Sequence, residues 1–72
     1  MARPSVAAGF AEKEDFRRRF QRALRGCAKR GFSVEECFGL VWEETLEVCP
    51  LSERVQGELY EEMIAWAKQW RR

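Results

Sequence analysis

Histidine is absent from the 72 residues, and there is no Cys-x-x-Cys pair. Without histidine the commonest general acid–base group is missing, and so is the Glu-x-x-His pattern of helical carboxylate metal centres. The three cysteines, Cys27, Cys37 and Cys49, are odd in number and widely spaced, which suggests neither a zinc site nor a disulfide scaffold. No apolar run approaches the roughly 18 residues that a membrane span needs. Nor does a charged start lead into an apolar stretch before a cleavage site, so no secretory signal can be read. These absences point to a cytoplasmic protein with no metal, no cofactor and no evident small-molecule substrate. Serine and threonine are few and no base lies near them, so no enzymatic activity is expected.

What is present is ample material for a packed fold. Residues are 46% hydrophobic and 35% charged, with five Phe and three Trp, enough apolar surface to offset the entropy cost of ordering. A chain this short nevertheless buries a smaller share of its surface than a longer one. Net charge is only +1, but it is unevenly distributed. Residues 1–31 carry nine basic side chains against three acidic, and residues 32–51 carry five glutamates and nothing basic. The remainder balances.

The pattern predicts an all-α three-helix bundle, with helices over about 11–30, 34–48 and 53–70, following a flexible N-terminal arm over residues 1–9. Residues 10–72 are expected to form one domain. In the first helix, Phe16, Phe20, Ala23, Leu24, Cys27 and Ala28 recur at steps of three and four, the spacing of one helical face. Glu12, Glu14 and Asp15 are placed in its first turn and Lys29 and Arg30 near its end, as the helix dipole favours. Gly31 suits the left-handed position after a helix. Ser33-Val34-Glu35-Glu36 reads as a capping box, with Phe32 placed for a hydrophobic staple. Pro50 ends the second helix, whose core face is Val34, Phe38, Val41, Trp42, Thr45 and Cys49. Ser52 is a suitable N-cap for the third.

Three surfaces are candidates for function. Arg18, Arg22, Arg25 and Lys29 form a narrow basic stripe opposite the apolar face of the first helix, suited to an acidic partner or a phosphate backbone. Glu36, Glu43 and Glu47 line the second helix around Leu40, an apolar side chain in acidic surroundings. The third helix carries a core stripe of Val55, Leu59, Met63, Trp66 and Trp70, widened by Tyr60, Ile64 and Ala67 to about half the circumference. So broad a face touches more than one neighbour. Leu40, Tyr60, Ile64 and Trp70 are therefore the expected partner-binding residues. The expected role is a protein–protein interaction or regulatory module that pairs as a homodimer through helix 3, or docks on another protein. Nucleic-acid association through the basic stripe is the alternative. A base-reading helix-turn-helix is disfavoured, because Glu35 and Glu36 open the second helix, and Glu58, Glu61 and Glu62 follow early in the third, where a recognition helix needs basic or amide groups.

Overall fold

A computed structural model describes residues 5–70, with side chains from residue 12 onward. Helix α1 spans Ser5–Lys29, α2 Val34–Val48 and α3 Glu53–Trp70, and among the described residues there is no strand. The chain is an all-α three-helix bundle in which α1 packs against both other helices.

Helix α1 begins six residues earlier than its apolar periodicity suggests. Residues 5–9, expected in a flexible arm, are helical; residues 1–4 lie outside the described residues. Ala7 and Ala8 favour helix there, against Gly9, which costs about 1 kcal/mol relative to alanine. The longer helix moves Glu12, Glu14 and Asp15 out of the first turn, which contains no acidic residue. Their partners are side chains instead. Glu14 and Asp15 pair with Arg17 and Arg19 at 2.8 and 3.1 Å, the i,i+3 and i,i+4 spacings that face each other on a helix.

The two turns follow from local chemistry. Gly31 takes φ 99°, a conformation glycine adopts without steric penalty. Phe32 N–H then donates to the Cys27 carbonyl and Gly31 N–H to that of Ala28, the paired bonds of a Schellman ending. Ser33 Oγ accepts from Glu36 N–H at 3.1 Å, the forward half of the capping box; among the described residues the return bond from the Glu36 carboxylate is not formed. Phe32 is 54% exposed, so the expected staple contributes little. At the second turn Cys49 caps α2 with a non-helical backbone, φ -127° and ψ 81°, since proline disfavours a helical conformation at the residue before it. Ser52 Oγ accepts from Val55 N–H at 3.4 Å to start α3.

Phe16, Phe20 and Leu24 from α1, Cys37, Val41 and Trp42 from α2, and Leu59, Met63 and Ala67 from α3 form the core. Its centre is aromatic. The Phe20 ring sits 5.0 Å from Phe38 and 5.7 Å from Trp42, both edge-on, and Phe16 meets Trp42 at 4.9 Å. Such geometries add about 0.5–1.5 kcal/mol per pair beyond area burial. Thr45, the one buried polar side chain of the described residues, donates to the Val41 carbonyl at 2.7 Å, so it is satisfied within its own helix.

Each apolar stripe is rotated slightly from its sequence expectation. Ala23 is exposed and Ala28 only partly buried, while Cys37, outside the expected face of α2, is buried. In α3 the buried line is Leu59, Met63 and Ala67; Val55, Trp66 and Trp70 are only partly covered. The reason is shared: α3 faces α1 and α2 together, so the middle of its broad stripe, rather than one edge, points inward.

Candidate functional site

Between α2 and α3, on the side away from α1, the bundle opens into a groove of about 430 Å³. Val34, Phe38 and Gly39 form one wall and Tyr60, Ile64 and Ala67 the other, with Glu35 and Lys68 also lining it. The groove exists because α2 and α3 each pack chiefly on α1 and touch each other little. Tyr60 bridges them: its ring stands perpendicular to Phe38 at 5.4 Å and to Trp42 at 4.9 Å. It is still 41% exposed, and Ile64 is partly exposed beside it. Much of the unusual width of α3 is thus accounted for by α2, but the Tyr60–Ile64 edge reaches solvent.

The four expected partner-binding residues do not form one patch. Tyr60 and Ile64 share the groove. Trp70 lies elsewhere, stacked on Trp66 with ring planes 4° apart and centroids 5.4 Å apart. Trp66 in turn lies under the Arg25 guanidinium, 5.7 Å from its ring centre, a cation–π contact that ties the end of α3 to α1. Leu40 is 61% exposed on α2. At about 100° per residue it points well away from Phe38 and the groove, toward the glutamate stripe.

The charges sort by direction. Arg17 of α1 reaches Glu62 of α3 through two nitrogens, at 2.7 and 3.2 Å, and Lys13 reaches Glu58 at 3.5 Å. These two bridges clamp α3 to α1. The Glu62 hydrogen bond raises the affinity of Arg17 for its proton. By contrast Arg18, Arg22, Arg25 and Lys29 are all exposed, and none enters an ion pair among the described residues. Neither do Glu36, Glu43 and Glu47 of α2. None of the four stripe cations lines the groove; Arg22 lines a cleft beside α2 and Arg25 lies over Trp66 of α3. A shallower cleft of about 300 Å³ separates α1 from α2, lined by Arg19, Arg22, Ala23, Glu44, Thr45 and Val48.

None of the three thiols is in a disulfide. Cys49 Sγ donates to Asp15 Oδ2 at 3.1 Å, joining the end of α2 to α1. That bond, and then Arg19, hold the Asp15 carboxyl below its ordinary range; burial and Asp15 itself push the Cys49 thiol up. At the other end of the helix pair, the neighbouring Cys27 thiol and burial raise the Cys37 thiol to about 11.

The i,i+3 and i,i+4 pairs within α1 were not anticipated, although their spacing alone could have found them. The α1–α3 bridges, the Cys49–Asp15 contact and the groove's α2 wall were missed, because each depends on how one helix is rotated against another. No family model matches this chain, and comparison with curated proteins and with solved structures gives no match either.

Proposed function

We propose that this protein works by contact, as a small cytoplasmic interaction or regulatory module that pairs with a second copy of itself through α3. The observation that carries this reading is the Tyr60–Ile64 edge, an aromatic and a branched aliphatic side chain opening to solvent along an apolar groove. A chain with so small a core gains from covering such an edge, and association then adds to apparent stability by mass action. A two-fold pair places the same groove on both copies, with Tyr60 and Ile64 at its centre. The charge polarity serves orientation rather than affinity. The α1 cations do not line the groove, so contact between the α1 stripe of one copy and the α2 glutamates of another is a separate interaction. It adds to the groove pairing rather than forming part of it. No catalytic role is assigned to any residue.

Ile64→Glu tests the pairing. Light scattering on the eluting peak is expected to give the monomer mass of 8.5 kDa for the variant and a larger mass for the parent, with helical content unchanged. Equal masses for the two would sink the proposal.

A second reading is favoured by one observation: Arg18, Arg22 and Lys29 are exposed and enter no ion pair among the described residues, whereas Lys13, Arg17 and Arg19 do. An outward stripe of unengaged cations suits sequence-independent contact with a polynucleotide backbone. Binding of that kind falls steeply with salt and is lost on Arg18→Glu with Arg22→Glu. No binding at low salt would remove the reading.

A further inference from the structure

Three contacts advance in step along the seam between α1 and α3: Lys13 with Glu58, Arg17 with Glu62, and Arg25 with Trp66. The two helices are therefore parallel, and their C-terminal halves share one end of the bundle. Acid stops partway along that seam. Helix α1 has no acidic residue after Asp15 and α3 none after Glu62, and Glu62 is already held by Arg17. Beyond it the seam offers Arg25 and two indoles. Trp66 packs against the core, but Trp70 is not among the side chains that do. Trp70 stacks on Trp66, is partly exposed, and has no other ring partner among the described residues. Neither indole lines the α2–α3 groove. Trp70 is thus an aromatic plane that the core does not use, joined to the basic stripe through Trp66 and Arg25.

Resting on the nucleic-acid reading of that stripe, we infer that its ligand is a single-stranded nucleic acid, with phosphates along Arg18, Arg22, Arg25 and Lys29 and a base stacked on Trp70. The stripe is about 17 Å long, and its cations follow one another at about 4.5–6 Å of helical rise, close to the separation of neighbouring phosphates on an extended strand. A single strand presents phosphates and ring faces together, and stacking on an aromatic side chain accepts any base. A duplex keeps its ring faces inside, and an acidic protein surface engages the cations without the indole. Charge alone would favour the duplex, which carries one phosphate per roughly 1.7 Å of axis. Preference for the single strand is the signature of stacking.

The experiment titrates a labelled short oligothymidylate, and its duplex with oligoadenylate, into the full chain at low salt, reading anisotropy and tryptophan fluorescence. The single strand is expected to bind more tightly, to quench the tryptophans, and to lose affinity with a log–log salt slope of about −3, for four phosphates at about −0.7 each. Trp70→Ala should weaken the single strand at least about fivefold, leaving its salt slope and the duplex affinity unchanged, and Trp70→Phe should restore most of the loss. Oligouridylate in parallel separates RNA from DNA as the source, and quenching by either strand supports the inference. Duplex binding as tight as single-strand binding, or a Trp70→Ala affinity equal to the parent's, would overturn the stacking while leaving backbone contact in place. No binding of any probe at low salt would overturn both.

Discussion

Removing the Phe20 ring is the most severe single truncation this core offers. Phe20 is fully buried and its ring meets Phe16, Phe38 and Trp42 at 6.4, 5.0 and 5.7 Å, so it joins α1 to α2 at the centre of the bundle. Phe→Ala at a buried site costs about 3–5 kcal/mol, and the loss of three ring contacts places Phe20→Ala near the upper figure. At about 0.05–0.15 kcal/mol per residue, a chain of this length has roughly 4–11 kcal/mol in total. The variant should therefore lose about half of its stability or more, and in the lower part of that range it does not fold. Phe32→Ala is the matched control: the same chemical change at a ring 54% exposed should stay within about 0.5 kcal/mol. Trp66→Ala falls between them, because that indole is only partly buried, between Trp70 and Arg25. Urea melts followed by far-ultraviolet circular dichroism, at one low protein concentration so that association does not shift the midpoints, rank the three. A Phe20→Ala loss below about 1.5 kcal/mol, or one no larger than that of Phe32→Ala, would refute this assignment of the core.

Three further outcomes test other parts of the structure. A double-mutant cycle on Arg17 and Glu62 should give a coupling of about 0.5–1 kcal/mol, the upper end for a partly exposed pair, and zero coupling would mean that the two-nitrogen contact does not hold α3. Gly57→Ala should raise stability by about 0.5–1 kcal/mol, since an added Cβ meets nothing within 4 Å; a loss would point to packing absent from this structure. Because the folded-state carboxyl of Asp15 is depressed, its contribution is present above its ordinary value of 3.8 and lost as pH falls below it. Thermal melts should accordingly show an Asp15→Asn deficit near neutrality that shrinks on acidification, and a deficit independent of pH would contradict the Cys49–Asp15 contact.

Legibility in the sequence followed the range of the interaction. Gly31, Ser33, Pro50 and Ser52 act on the backbone within a few residues of themselves, so both turns and four helix ends can be read directly. The start of α1 cannot, because residues 5–11 hold no apolar period. Which face of each helix is buried was legible to within about one residue position: Phe16, Phe20 and Leu24 as expected, but Ala67 in place of Trp66. That rotation is set by simultaneous contact with two neighbours, which a single helix's periodicity does not contain. The candidate surfaces divide in the same way. Exposure of Arg18, Arg22, Arg25 and Lys29 follows from their position opposite the phenylalanines. The separation of Tyr60 and Ile64 from Trp70 and Leu40 follows only from the packing of α2 and α3 on α1.

Sedimentation equilibrium over a concentration series tests the pairing through α3 most directly. The weight-average mass is expected to climb from 8.5 kDa toward twice that value as concentration rises, and to do so at high salt as well as low, because the groove is apolar. A mass fixed at the single-chain value across the series would contradict it.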